Sequence, residues 1–411
     1  MRNLKPNMKL NEIRACFPYF DSHQNKNSIY FDSAATTHKP RVVIEEVVNY
    51  YQNDNSNIHR SMNPLASRAT QKYELTRERV RGFIGAKKKT EIVFTSGTTE
   101  GINLIAQSYV KTIVKKNDII LISPLEHHSN LVPWQILAQQ TGARLKFMSI
   151  NDDLLINTEA LKASLNKQVK FIATHHVSNV TGCEQNIKKI SQLANTFQIP
   201  VLVDGAQAIA HSPVNVSELD CAFYCFSGHK IFGPTGTGVL FGKEKFLENC
   251  LPSKFGGGMV SSVEKLKSSW SDLPHKLEAG TPNIAGVIGL GEAISFVQKI
   301  GVSNILKHET TLTRKFKELI TNINGITIYG DKNKIAPIFT FNVDGLHHYD
   351  IASILSEHNI YTRSGHLCSQ TLMNHCKVPG AVRASMSIYN SDTEIEQFML
   401  ILKKVISFLR K

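Results

Sequence analysis

The sequence predicts an α/β fold, a mainly parallel sheet with a smaller α+β domain beside it, and three observations lead there. Short apolar runs alternate with stretches of helical periodicity from residue 91 to residue 204, and strand, helix, strand in repetition is the pattern of parallel strands joined by crossovers. Each run ends in polar or small residues, and in open α/β sheets ligands bind at the carboxyl ends of the strands. The 411 residues exceed what one core usually organises, so two domains are expected.

A short helix is expected over residues 8–16 and a strand over 29–32, which enters the small-residue turn SAATT. Apolar positions recur at helical spacing over 40–51 and 65–84. The loop between them, NIHRSMNP, carries His59 and Arg60, basic groups that can reach an anionic ligand. Residues 91–94 form a strand ending in TSG, after which Thr98, Thr99 and Glu100 open a helix that runs through residue 109. The free N–H groups and dipole of such a helix start suit a phosphate. The strand at 119–122 leads to His127, that at 169–173 to His175, His176, Ser178 and Asn179, and that at 201–203 to Asp204 with Gln207 three residues on. A strand at 145–148 and helices at 158–165 and 187–196 complete the alternation. The run at 221–226 breaks at Ser227, Gly228, His229 and Lys230 and passes into FGPTGTG, a turn where backbone can approach a ligand closely.

A helix over 287–299 leads into the second unit, with another at 305–320, strands at 326–329 and 338–343, a helix at 349–358 and a strand at 360–363. That last strand ends in SGHLC. A thiol at a strand exit, after a glycine and beside basic groups, is where a reactive cysteine belongs, which singles out Cys368. Downstream, the planar guanidinium of Arg383 suits a bidentate grip on a carboxylate.

Composition excludes several classes. Lys and Arg outnumber Asp and Glu by 47 to 34, but the basic residues are scattered, so a solvated surface rather than a nucleic-acid site is expected. No apolar stretch has the length of a membrane span and no h-region opens the chain, so the expected setting is the cytoplasm. The seven cysteines are odd in number and show no C-x-x-C, which argues against a disulfide framework. His366, Cys368, His375 and Cys376 lack the spacing of a closed zinc site, and no metal is expected. Neither G-x-G-x-x-G after a strand nor a nucleotide-triphosphate loop is present.

A helix start for a phosphate, an imidazole, a carboxylate and a lysine, all at neighbouring strand ends, suit pyridoxal phosphate. Its carbonyl condenses with a lysine, and its ring nitrogen needs a carboxylate to stay protonated. The blocks YFDSAATTHKP, NIHRS, FTSGTTEGIN, EHHSNLVPWQ, VSNVTG, VDGAQA, FSGHKIFGPTGTGVL, LEAGTPN and RSGHLC, in this order, resemble the cysteine desulfurases of the class V aminotransferase superfamily. The resemblance is to the SufS/CsdA branch and runs from about residue 13 to the C-terminus.

It implies a homodimer of the fold-type I pyridoxal-phosphate-dependent transferase architecture, with a large domain over 29–290 and a small one made of 1–28 and 291–411. Lys230 matches the lysine that binds the cofactor carbonyl, Asp204 the partner of the pyridine nitrogen, Gln207 that of the ring hydroxyl, and His127 the stacking imidazole, which above the ring is also the nearest candidate to take the substrate thiol proton. Thr98, Thr99, Ser227 and His229 match the phosphate cup, with Thr281 supplied by the other subunit. Cys368 matches the persulfide-forming nucleophile, Arg383 the arginine for the carboxylate of L-cysteine, and Asn179 and Arg363 further active-site positions. In this chain Leu367 stands where many relatives carry a second imidazole, and Ser369 where alanine is usual, so slow intrinsic turnover is expected; the segment before Cys368 is compact, which by the same resemblance implies a sulfur acceptor of the SufE kind, feeding iron–sulfur cluster assembly. A selenocysteine lyase would share these residues.

Overall fold

In the computed structural model, the described residues are 10–59, 62–330 and 334–411. Arg60 and the front of the helix expected from residue 8 lie outside them. The first strand, β1 (Ile29–Tyr30), belongs to a minor pairing treated below. Seven strands form the main sheet: β2 (Ile92–Thr95), β3 (Ile119–Ile122), β4 (Arg144–Phe147), β5 (Val169–His175), β6 (Val201–Asp204), β7 (Phe223–Ser227) and β8 (Gly238–Gly242). Their spatial order is β2-β8-β7-β6-β5-β3-β4.

All neighbours pair in parallel except β8, which runs antiparallel to both β2 and β7. The sheet is thus mainly parallel, as expected, but the strand β8 was hidden in what reads as a glycine-rich loop. Strands β3, β6 and β7 are buried along their whole length, which is why they read as unbroken apolar runs: helices cover both faces. Alternate residues enter two cores. Ile119, Leu121, Val201, Val203, Tyr224 and Phe226 face one side, and Ile120, Ile122, Leu202, Phe223 and Cys225 the other. At the edge, β4 (RLKF) is largely exposed, and its charged Arg144 and Lys146 guard the unpaired rim.

The first core also receives the helix Ile284–Ile300, which packs on Pro64–Phe83 and Arg41–Asn49. The expected domain limit at residue 290 falls inside this continuous helix. A hairpin not foreseen, β9 (Val260–Val263) with β10 (Ser268–Trp270), is largely exposed.

Beyond the helix Val302–Ile320 lies an antiparallel sheet, β11 (Ile326–Tyr329), β12 (Ile338–Val343), β14 (Arg363–Gly365) and β15 (Ala381–Ser385), in the order β11-β12-β15-β14, with β13 (Ile360–Tyr361) just before β14. Strand β1 pairs in parallel with β13, and Ile29 and Phe31 enter this second core beside Phe316, Phe339 and Phe398. Phe17 and Phe20 instead pack into the first core, Phe17 edge-on to Phe232 and Phe296. Of the N-terminal residues, Ile29 and Phe31 thus join the second core, while Phe17, Phe20, Tyr30 and Ala34 pack with the first. The physical reason is that β1 needs a strand partner, and β13 offers one.

Candidate functional site

The carboxyl ends of β2, β5, β6 and β7 open on one cleft of about 320 Å³, a volume in the range of small-molecule sites. Its floor is Lys230, which follows β7 in a short 3₁₀ turn, Gly228–Lys230. Burial pulls the Lys230 amine down to about 8, against the opposing pull of Asp204. No described residue gives this amine a hydrogen bond or a carboxylate within ion-pair reach.

Asp204 closes β6 and is buried. Its Oδ1 accepts from the Ala206 N–H at 2.9 Å, and burial raises its carboxyl above the usual range. Gln207 Nε2 donates to the Ala34 carbonyl at 2.8 Å. Tyr224 is the reason residue 205 is glycine: a Cβ there would lie 2.0 Å from the phenol ring.

The β2 exit builds an anion cup. The helix Thr98–Ile105 starts directly at the cleft, so its first N–H groups have no helical acceptor. Thr98 N–H donates to Ser227 Oγ at 2.8 Å and the two hydroxyls lie 2.8 Å apart, while Thr99 Oγ1 is 2.7 Å from Ser129 Oγ. His229 Nδ1 is 3.2 Å from Thr36 Oγ1, and burial, then Lys230, lowers its imidazole to about 4, so it stays neutral. Strand β8 seals the cup from below, with Gly238 so close that a Cβ would lie 2.4 Å from Gly97 Cα.

Over the opposite side stands His127. Its Nδ1 accepts from the Ser129 N–H at 3.1 Å, which leaves the proton on Nε2. Burial, then Lys230, lowers this imidazole to about 3. A neutral ring that donates from Nε2 is suited to covering a ligand.

The second unit supplies the far wall. Cys368 is exposed at the cleft, on a turn in which Leu367 and Cys368 both have φ of 55°, a left-handed conformation that side chains seldom adopt. Three anchors hold that turn. Asn179 Nδ2 donates to the Leu367 carbonyl at 2.8 Å, the His128 N–H donates to the Cys368 carbonyl at 2.8 Å, and Gln370 N–H donates to His128 Nε2 at 3.2 Å. The Leu367 side chain is a fourth, buried with Leu125, Leu154 and Val180 from the large unit and Leu372, Met373 and Ala381 from the small one.

Asp32, to which the sequence reading gave no role, ties the two arginines together. Arg363 Nη2 donates to its Oδ2 at 2.7 Å and Arg383 Nη2 to its Oδ1 at 3.1 Å. Arg383 is buried, donates also to the Asn179 carbonyl at 3.0 Å, and keeps one buried N–H, Nε, without any partner. His128 was likewise given no role, since both of its bonds to that turn, from its backbone amide and to its ring, go to backbone atoms more than 200 residues away.

Thr98, Thr99, His127, Asn179, Asp204, Gln207, Ser227, His229, Lys230, Arg363, Cys368 and Arg383 thus share one cleft. His59 and Thr281 do not. They line a second cavity of about 230 Å³ with Tyr73, His275 and Glu278. There His59 Nε2 lies 3.2 Å from Glu74 Oε1, close enough with His275 to hold a cation, yet the Arg77 guanidinium already bonds both Glu74 oxygens and both Glu278 oxygens. A fixed cation in that position makes the group an ion-pair network.

The main cleft fits pyridoxal phosphate on this structure's own terms: an unpaired lysine, a buried carboxylate with one bonded oxygen, a helix start with two threonines, and an orphaned guanidinium N–H. The Aminotransferase class-V family matches residues 29–398. A probable cysteine desulfurase of Halalkalibacterium halodurans is 42% identical over 97% of this chain and 98% of that protein. Among solved structures, the apo cysteine desulfurase of Thermococcus onnurineus superposes with a TM-score of 0.94 at 37% identity, covering 98% of this chain and all of that one. The cysteine desulfurase CsdA of Escherichia coli, in an S-sulfonic acid form, gives 0.92 at 35% identity, covering 98% of this chain and 99% of its own.

Proposed function

We propose, from the premise that the chain belongs to the aminotransferase class-V family and is a pyridoxal-phosphate-dependent cysteine desulfurase, that Lys230, Asp204 and Cys368 carry its reaction. The observation that supports this assignment is the convergence of an exposed thiol, an unpaired lysine and a buried carboxylate on one cleft. When bound, pyridoxal phosphate supplies an electron sink for the bonds around the substrate α-carbon.

The chain's residues do the rest. Asp204, buried and facing the cleft, keeps a cationic ring nitrogen paired, and Gln207 orients the ring hydroxyl. Thr98, Thr99, Ser227 and His229, with the helix start, hold the phosphate. His127 covers the ring face as a neutral imidazole. Arg383, which lines the cleft, binds the carboxylate of L-cysteine through its guanidinium, with Arg363 and Asn179 flanking it. Lys230, with its amine at about 8, is poised near neutrality to carry a proton to and from the α-carbon.

Cys368 Sγ attacks the substrate sulfur. A sulfur–sulfur bond forms, the carbon–sulfur bond breaks with its electrons passing to carbon, and that carbon collects a proton, so the products are alanine and a persulfide on Cys368. Release of the sulfur then needs an acceptor thiol at the exposed Cys368, and a SufE-like partner feeding iron–sulfur assembly in the cytoplasm is the reading that family likeness favours.

A homodimer is part of the same proposal. Thr281 and His59 lie outside their own chain's cleft, and Met62, Leu65, Phe255 and Leu266 leave apolar surface exposed. Arg60 belongs with them by sequence only. Incubation with L-cysteine, with alanine and protein-bound persulfide measured together, tests the whole. Cys368→Ser should keep the cofactor absorbance and release no sulfide with or without an acceptor, and full turnover in that variant would overturn the nucleophile assignment.

A further inference from the structure

The turn that presents Lys230 is held from behind by a side chain outside the cleft. Four donors converge on one acceptor, the carbonyl of His229, which is half of the peptide bond leading into Lys230. They are the Thr37 N–H at 3.1 Å, Thr37 Oγ1 at 3.0 Å, Thr36 Oγ1 at 3.3 Å and Lys39 Nζ at 3.0 Å. The Lys39 ammonium also donates to the Thr37 carbonyl at 2.5 Å, and Thr37 Oγ1 accepts from the Phe232 N–H at 2.9 Å, so the SAATTHK segment and the GHKIF turn are stitched together on both sides of Lys230. Lys39 is half-buried, and no described carboxylate pairs with it. Burial brings its amine down to about 8. A solvated lysine at this place would gain nothing by turning inward, whereas an ammonium spent on two carbonyls fixes backbone.

We propose that Lys39 is a positioning residue for Lys230: its ammonium completes the clamp on the His229 carbonyl and so sets the height and direction of the lysine that the cofactor carbonyl must meet. The inference rests on the reading of Lys230 as the attachment lysine. Thr36 and Thr37 hold the same carbonyl without charge. Lys39 adds the charge-assisted bond, the stronger kind.

The test separates attachment from phosphate binding. Pyridoxamine phosphate fills the same cup and cannot link to a lysine, while pyridoxal phosphate does both. In Lys39→Met apoprotein, pyridoxamine phosphate should bind within about twofold of wild type, and covalent linkage of pyridoxal phosphate, followed by its absorbance band, should slow by on the order of tenfold. Lys39→Arg, which keeps a charged donor, should recover part of that rate. Should Lys39→Met not fold, Thr37→Val removes one donor from the same carbonyl and should give the same split more weakly. Equal loss for both ligands, or unaltered linkage, overturns the proposal. Borohydride reduction and peptide mapping of the wild type come first, because a label away from Lys230 would sink the attachment reading itself and leave the clamp to stand or fall separately.

Discussion

The electrostatics of the cleft turn on one unmatched pair. Lys230 is pulled down by burial and held up by Asp204, and only its neutral amine can attack a carbonyl. The rate of cofactor attachment to the apoprotein should therefore climb as pH rises through about 8 and then level off. Asp204→Asn removes the charge that favours the ammonium, so the midpoint should move to lower pH. Rapid-mixing absorbance across pH 6–10 checks the sign, and an upward shift would contradict it. Leu367 makes a second case. Its side chain is 8% exposed within an apolar cluster that bridges both units, and so anchors the nucleophile turn. Leu367→His, which would supply the second imidazole that the family resemblance led one to expect, would bury a polar ring there without a described partner. It should cost about 1–3 kcal/mol of stability and fail to raise turnover, as thermal melts and alanine release would show. A gain in both would mean that the missing imidazole, and not the packing, governs the rate.

At the scale of elements, the tightest constraint is where β8 meets the phosphate cup. Any side chain at residue 238 must displace the Gly97 backbone, 2.4 Å from the Cβ position, and the flexible part of the neighbourhood is not the part in contact. Gly238→Ala should thus weaken pyridoxamine phosphate and pyridoxal phosphate alike, by about tenfold or more if the loop shifts by even half an ångström, while the far-side anchors of Cys368 stay intact. Equilibrium dialysis of both ligands decides it. The same strand shows where sequence reading stops. The buried parallel strands announce themselves because apolar runs bounded by polar ends have one physical use, and Asp204 and Lys230 stood out because each follows such a run, whereas Cys368 stood out as a thiol after a glycine beside basic groups. The strand β8 begins inside GTG, and glycine's permissiveness disguises it as loop. Asp32, His128 and Lys39 act on groups 331, 240 and 190 residues away in the chain, two of them through backbone atoms. Spacing along a chain carries no trace of such contacts.

For the whole molecule, the question is whether one chain holds a finished site. Among the described residues, the cleft contains every expected group except Thr281 and His59, and these two sit together around another cavity, braced by Arg77 and Glu278. If a two-fold axis brings that cavity against the partner's cleft, each site draws on both chains, and variants defective in different parts should complement each other. Lys230→Ala disables the cleft in its own chain. Thr281→Glu would place a carboxylate against the phosphate of the other. Neither homodimer should turn over cysteine at an appreciable rate. In an equal mixture refolded or co-expressed, half of the dimers are hybrids, and each hybrid has one intact site and one doubly defective, so about a quarter of wild-type activity should return. With hybrids isolated by two different affinity tags, that figure should rise to about half. Absence of any recovery in tagged hybrids, or full activity of Thr281→Glu alone, would place Thr281 outside the catalytic assembly and leave the single-chain cleft as the complete site.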